Sequence, residues 1–184
     1  MSRSPERLAA AAAFTALLLA ATPAWAEPQP GPVESLIAPV EGLVGEVESM
    51  DGSQSESKQG QTVTVALTSD VLFALDKYTL TAKAKHRLRT VAEKVTAEWT
   101  GGPIRINGHT DDQGADDYNL QLSLRRARAV QQALREALSG QPVTFEAKGY
   151  GEAKPKLPNI IDAKPIDANR ARNRRVEIVF SVKE

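Results

Sequence analysis

Residues 106–130 constrain the fold of this chain more than any other segment, because they read as a strand, an acidic loop and a long helix in immediate succession. On a helical wheel the apolar side chains of this helix fall in one arc, formed by Leu122, Ala129, Val130, Ala133 and Ala137. Arg126 lies near the centre of that arc and Asn119 points the same way. Three neighbouring arginines point to the opposite side: Arg125, Arg128 and Arg135. We therefore predict that one arginine faces the interior.

A buried arginine needs a carboxylate or an anionic ligand to satisfy its charge. The nearest candidate in the sequence is Asp111, at the mouth of the preceding strand. A cation and an anion at such a position suit a zwitterionic ligand. On physical grounds alone, a salt bridge between Asp111 and Arg126 that merely joins the loop to the helix is the slightly favoured interpretation, and ligand binding remains open beside it.

Residues 1–26 read as a secretory signal peptide. Arg3 and Arg7 form a basic start, residues 8–21 an apolar run, and Ala24 and Ala26 a small-x-small cleavage site. The run of about 14 residues is shorter than the roughly 20 that cross a bilayer, so a membrane anchor is the less favoured alternative and we expect no membrane span in the mature chain. We predict an exported protein, located in the periplasm or in the cell wall and extracellular space.

Composition removes several classes of function. The chain has no cysteine, which excludes disulfides, a cysteine nucleophile and an acyl anchor on a lipobox. Its 23 basic and 23 acidic residues balance, so nothing suggests nucleic acid as a partner.

The rest of the sequence divides into a leader and one domain. Residues 27–60 form a proline-rich and polar leader or linker, with one short strand near residues 44–50 and a polar loop over 51–60. A hairpin across that loop and a disordered linker both remain open. The leader is also a candidate contact for an envelope protein partner. We assign residues 61–184 to the domain.

Periodicity predicts four strands and two helices in the domain. The strands are residues 62–68, 104–108, 143–149 and 174–182, and the helices are residues 81–99, with Thr81 as N-cap, and 117–138. The order β-α-β-α-β-β predicts an α/β (α+β) two-layer sandwich, in which the helices pack on one face of a mixed sheet.

Motifs spread along the domain resemble those of a known family. The matching positions in the central segment are Gly108, Thr110, Asp111, Gly114, Tyr118, Asn119, Leu122, Ser123, Arg126, Ala127 and Val130. Residues 70–80 (DVLFALDKYTL), 148–152 (KGYGE) and 173–177 (NRRVE) extend the match. Together they resemble the OmpA-like peptidoglycan-binding domain of OmpA, Pal lipoproteins and MotB, over about two thirds of the chain.

This resemblance implies binding to the peptide stem of peptidoglycan, chiefly to its diaminopimelate residue. Asp111 and Arg126 occupy the positions of the family's two main ligand-binding side chains. Asp111 would accept hydrogen bonds from the ammonium of diaminopimelate, and Arg126 would donate a bidentate fork to its carboxylate. A lysine-type stem lacks that carboxylate and should bind more weakly.

Further side chains are candidates for the same site. Asn119 would bond either the loop backbone or an amide of the ligand, and Thr110 either Asp111 or the pocket lining. Leu122 is expected to be a pocket wall, and Phe73 either core or pocket floor. One arginine of residues 173–175 would face the pocket.

Catalytic and metal-binding interpretations are weaker. His109 and its neighbouring aspartates do not have the spacing of an EF-hand or a zinc hydrolase, and no nucleophile motif is present. We expect no metal, no cofactor and no catalysis. The sequence therefore predicts an exported, non-catalytic peptidoglycan-binding domain. The alternative is an envelope scaffold or protein-interaction module on the same fold, without peptidoglycan affinity.

Overall fold

The computed structural model describes residues 45–183, and the predicted signal peptide and the leader up to residue 44 lie outside this part of the chain. The described elements, in chain order, are β1 (Gly45–Glu48), β2 (Gln54–Gln59), β3 (Thr62–Thr68), α1 (Ser69–Leu72), α2 (Ala82–Glu98), β4 (Ile104–Gly108), α3 (Asp116–Ala137), β5 (Phe145–Gly149), β6 (Ile160–Ile161), β7 (Lys164–Pro165), α4 (Asp167–Asn173) and β8 (Arg175–Ser181). No helix within residues 45–183 has the length and apolar character that crossing a membrane requires.

Six of the strands form one mixed sheet in the order β1-β2-β3-β8-β4-β5. Its strands pair antiparallel except for β4 and β5, which are parallel and are connected through α3. The last strand, β8, lies at the centre, where Ile178 is aligned with Val65 of β3 on one side and Ile106 of β4 on the other. These aligned apolar side chains give the sheet one buried face.

The two long helices cover that face and complete the predicted two-layer sandwich. Buried side chains of α2 and α3 meet those of the sheet: Leu88, Val91, Val95, Ala127, Val130 and Leu134 against Val63, Leu67, Ile104, Val176 and Phe180. Helix α2 begins as predicted, because the Thr81 side chain accepts a hydrogen bond of 3.0 Å from the backbone N–H of Ala84. Ala137, which we expected in the apolar arc of α3, is exposed.

The polar segment before β3 differs from the prediction. Gln54–Gln59 was expected to be a loop, but it forms strand β2, paired with β1 and, through six residues, with β3. Its polar side chains have local partners; for example, Glu56 forms a 2.9 Å ion pair with Lys94 of α2. A strand near the edge of a sheet buries little apolar surface, so its sequence lacked the alternation that would have predicted it.

Two glycines allow α3 to lie directly on the ends of β4 and β5. A Cβ atom at Gly108 would lie 2.1 Å from the carbonyl oxygen of Ser123, and one at Gly149 would lie 2.5 Å from the backbone nitrogen of Leu124. Both neighbours are helix backbone and cannot rotate away. The first turns of α3 are therefore fixed against the edge of the sheet from which the 109–114 loop emerges.

Candidate ligand-binding site

A cavity of about 430 Å³ opens where β4 leads through the 109–114 loop into α3. The loop after α1 and helix α4 close its other sides. It is lined by Leu75, Asp76, Thr110, Asp111, Gln113, Tyr118, Asn119, Leu122, Arg126, Asp167, Arg170 and Arg174. Five of the six side chains proposed from the sequence are in this set, and Phe73 is not.

Asp111 is held by its neighbours with its carboxylate at the cavity wall. It is 5% exposed. Its Oδ1 accepts a 3.2 Å hydrogen bond from the backbone N–H of Gln113, and its Oδ2 accepts a 2.8 Å bond from Nη1 of Arg174. Arg174 also donates to Asp70 at 2.8 Å. The hydrogen bond to Asp70, with a smaller contribution from the one to Asp111, holds the pKa of Arg174 above its ordinary value. Arg174 is thus the arginine of residues 173–175 that faces the cavity.

Arg126 is buried without a carboxylate partner among residues 45–183. It is 5% exposed, its Nε donates a 3.0 Å hydrogen bond to the backbone carbonyl of Lys77, and its guanidinium carbon lies 5.4 Å from the Phe73 ring centroid. Burial is the main reason that the pKa of Arg126 lies below its ordinary value. The salt bridge with Asp111 that the sequence left open does not form, because the side-chain partner of Asp111 is Arg174.

The remaining predicted side chains shape the site in different ways. Asn119 donates a 2.8 Å hydrogen bond to Glu152 and a longer one, 3.5 Å, to the carbonyl of Asp111, so it bonds the loop backbone. The Thr110 hydroxyl is buried and has no hydrogen-bond partner among residues 45–183; it lines the cavity without bonding Asp111. Leu122 forms a wall. Phe73 is 3% exposed and belongs to the core, where it supports the Arg126 guanidinium.

Sequence reasoning missed the other charged side chains of the cavity. Arg170 of α4 binds the carboxylate of Asp112 through two hydrogen bonds of 2.7 and 3.0 Å, which fixes α4 to the loop. Tyr118 donates a 2.5 Å hydrogen bond to Asp76, whose backbone is left-handed, with φ of 56°. Asp76 lies in the LDKY segment that contributed to the resemblance. Arg170 lies 58 residues after Asp112 in the sequence, and local sequence patterns cannot predict a contact at that separation.

The charges that line the cavity balance. Three carboxylates and three guanidinium groups contribute to its wall: Asp76, Asp111 and Asp167, and Arg126, Arg170 and Arg174. Both signs of charge line the cavity, and the Arg126 guanidinium has no carboxylate partner in residues 45–183, so the site can accept a ligand that carries an ammonium and a carboxylate together.

His109 does not line the cavity. Its ring stacks on Tyr150, with centroids 5.2 Å apart, and its Nε2 lies 3.4 Å from Glu177. Residues 45–183 contain no group of three or more His, Asp or Glu side chains placed to hold a metal ion.

The fold and the site define a member of a known class of domain. The OmpA family model matches residues 72–174, which is more than half of the chain, and the protein belongs to the OmpA family. It is similar to the peptidoglycan-associated lipoprotein of Pseudomonas putida, with 32% identity over 130 residues that cover 70% of each chain. A solved structure of a MotB-like protein from Desulfovibrio vulgaris has 30% identity and a TM-score of 0.59, covering 72% of this chain and 83% of that one.

Other relatives are much longer than the matched domain. The chain is 38% identical over 122 residues to photosystem I P700 chlorophyll a apoprotein A2 of Gloeobacter violaceus; this match covers 64% of the chain but 13% of the relative. A second relative, 36% identical, is matched over 33% of its length. Family membership therefore concerns the domain that the proteins share.

Proposed function

We propose that this protein is exported and non-catalytic, and that it binds peptidoglycan through the diaminopimelate of the peptide stem. Membership of the OmpA family and similarity to a peptidoglycan-associated lipoprotein support association with the cell wall. The predicted signal peptide supports export. The alternative is a protein-interaction module on the same fold that has no affinity for peptidoglycan.

The buried guanidinium of Arg126 is the observation that carries the proposal. A buried charge without an opposite charge is costly, and a chain selected only for stability has little reason to keep one. Diaminopimelate in a stem has a free ammonium and a free carboxylate on the same carbon. Its carboxylate would accept the fork of Arg126, which has no carboxylate partner in the described part of the chain.

Asp111 would hold the ammonium of the same ligand. Each carboxylate oxygen can accept about two hydrogen bonds, and each oxygen of Asp111 already accepts one, from Gln113 or from Arg174. One acceptor position per oxygen therefore remains. Because Arg174 fixes the direction of the carboxylate, the ligand would meet an oriented acceptor and lose less entropy on binding.

Co-sedimentation with insoluble peptidoglycan tests this function. The protein should sediment with diaminopimelate-type material and much less with lysine-type material. Arg126→Ala and Asp111→Ala should each reduce binding by about 2–5 kcal/mol, since each leaves one charge of the ligand unpaired. Arg128→Ala is the matched control, because Arg128 is an exposed arginine of the same helix.

Three outcomes would contradict parts of the proposal. Equal sedimentation with both types of peptidoglycan would contradict diaminopimelate recognition. Absence of sedimentation with either type would favour the protein-interaction alternative. Release of soluble muropeptides during the incubation would contradict a non-catalytic role.

A further inference from the structure

A second cavity, of about 380 Å³, lies beside the proposed ligand site. We call it the tyrosine cleft and define it by its lining residues, which are Asp76, Tyr78, Asp117, Tyr118, Gln121, Leu122 and Arg125. Helix α3 separates the two cavities by a ridge of Tyr118 and Leu122, which line both. Both volumes fall within the range of cavities that bind small molecules.

Helical spacing explains why one helix serves both cavities. Asp117, Gln121 and Arg125 are four residues apart and form one strip along α3, toward the tyrosine cleft. Asn119, Leu122 and Arg126 form the neighbouring strip, toward the first cavity. The two strips are therefore adjacent on the surface of α3.

The tyrosine cleft presents aromatic surface to solvent. Tyr78 and Tyr118 are 47% and 49% exposed, and they are two of the three tyrosines in the chain. Scattered exposed apolar side chains are ordinary, but two aromatic rings that share one cavity with Leu122 are typical of a binding surface. Arg125 lies over the Tyr78 ring at 5.5 Å and forms no ion pair within 4.0 Å in residues 45–183.

The two cavities meet at the hydrogen bond between Tyr118 and Asp76. The left-handed backbone of Asp76 turns the loop after α1 so that Leu75 lines the first cavity and Tyr78 the tyrosine cleft. A ligand with its ionic end beside Arg126 can therefore continue across this junction. In a peptide stem, the group bonded to the peptide carboxyl of diaminopimelate is an alanine, which adds a methyl group and, at the end of a tetrapeptide, a carboxylate.

We propose that the tyrosine cleft binds this alanine, with the methyl group against Tyr78 and Tyr118 and the terminal carboxylate at Arg125. The proposal rests on the proposed function, because it takes diaminopimelate in the first cavity as given. It adds a second element of specificity: the protein distinguishes stems that end at diaminopimelate from stems that continue with alanine. Arg125 supplies the charge complement and the tyrosines the apolar contact.

Isothermal titration with two synthetic stems tests the proposal. One is the tripeptide that ends in diaminopimelate, and the other is the tetrapeptide with D-alanine added. The tetrapeptide should bind about tenfold more tightly, corresponding to about 1.4 kcal/mol. Arg125→Ala should remove the part of this advantage that comes from the terminal carboxylate, whereas Arg128→Ala, on the exposed face of the same helix, should preserve both affinities. The tetrapeptide amide keeps the methyl group but lacks the terminal charge, so it should bind the unsubstituted protein with an affinity between those of the tripeptide and the tetrapeptide.

The possible failures can be told apart. Equal affinity of the unsubstituted protein for tripeptide and tetrapeptide would overturn the tyrosine-cleft proposal and leave diaminopimelate binding intact. Binding of neither peptide would overturn the proposed function, and this proposal with it. Competition for the tetrapeptide by a peptidoglycan disaccharide without alanine would assign the cleft to a sugar and overturn the assignment to alanine.

Discussion

Replacing Arg126 by methionine should make the domain more stable while removing its ligand affinity. The buried guanidinium has no carboxylate partner among residues 45–183, and burial lowers its pKa, so its charge opposes folding. Methionine has a similar length, fills irregular space and packs well on aromatic rings such as that of Phe73. The substitution therefore removes a buried charge without opening a large cavity.

The size of the effect depends on the contacts of Arg126. Replacing a buried ionic group by an apolar one of similar volume changes stability by between zero and a gain of about 4 kcal/mol. Against this stands the 3.0 Å hydrogen bond to the Lys77 carbonyl, worth about 1 kcal/mol. Lys77 is an exposed residue, so its carbonyl can be hydrated after the substitution. We expect a net gain of about 1 kcal/mol, or about 3 °C in Tm.

Urea unfolding and peptidoglycan co-sedimentation on the same preparation provide the test. Arg126→Met should raise the free energy of unfolding and abolish sedimentation with diaminopimelate-type peptidoglycan, because methionine cannot bind the ligand carboxylate. Arg128→Met measures the effect of the same exchange on the exposed face. A loss of more than about 1 kcal/mol of stability, together with unchanged sedimentation, would show that Arg126 is structural and refute the reasoning.

Three further predictions concern other parts of the chain. Gly108→Ala should lower the free energy of unfolding by about 1–3 kcal/mol in urea titrations, because the added methyl group meets helix backbone; unchanged stability would mean that α3 can shift. Burial alone would raise the pKa of Glu177, but His109, whose Nε2 lies 3.4 Å from the carboxylate, and the charge of Arg175 lower it to about 2. Above pH 4.5, the ordinary pKa of a glutamate, the ionised carboxylate should therefore contribute up to about 3 kcal/mol to the free energy of unfolding. This contribution should be lost as the pH falls from 4.5 toward 2, and Glu177→Gln should flatten the pH dependence of stability in this range. Mass spectrometry of the exported protein should find Glu27 as the first residue, and an intact N-terminus there would contradict cleavage.

The sequence predicted the elements that bury a repeating apolar face. Helix α2, helix α3 and strand β8 followed from spacings of three to four residues or of two, and the inward direction of Arg126 followed from the same geometry. Strand β2 was not predicted, because its stabilisation comes from pairing with β3 and backbone hydrogen bonds leave no pattern in side-chain polarity.

The partners inside the site were beyond the reach of sequence reasoning. Two arginines were candidate partners of Asp111: Arg126, which is near it in the sequence, and Arg174, which is 63 residues away. The structure pairs Asp111 with Arg174. That choice depends on β8 lying beside β4 at the centre of the sheet, which places the C-terminal end of α4 next to the loop. The tyrosine cleft depends likewise on the left-handed turn at Asp76.

The position of β1 has a mechanical consequence for a domain that is held at its ligand site. The described part of the chain begins at Gly45, at the outer edge of the sheet, where β1 is joined to β2 by four residue pairs. Gly45 is at the end of β1 farthest from the ligand site, so tension between Gly45 and a bound ligand would run along β1 and reach its four-pair ladder first. The longer seven-pair ladder between β3 and β8 would be loaded after it. The hairpin formed by β1 and β2 would then extend before the rest of the domain unfolds. Single-molecule pulling from residue 45 should show a short extension at low force before the domain unfolds.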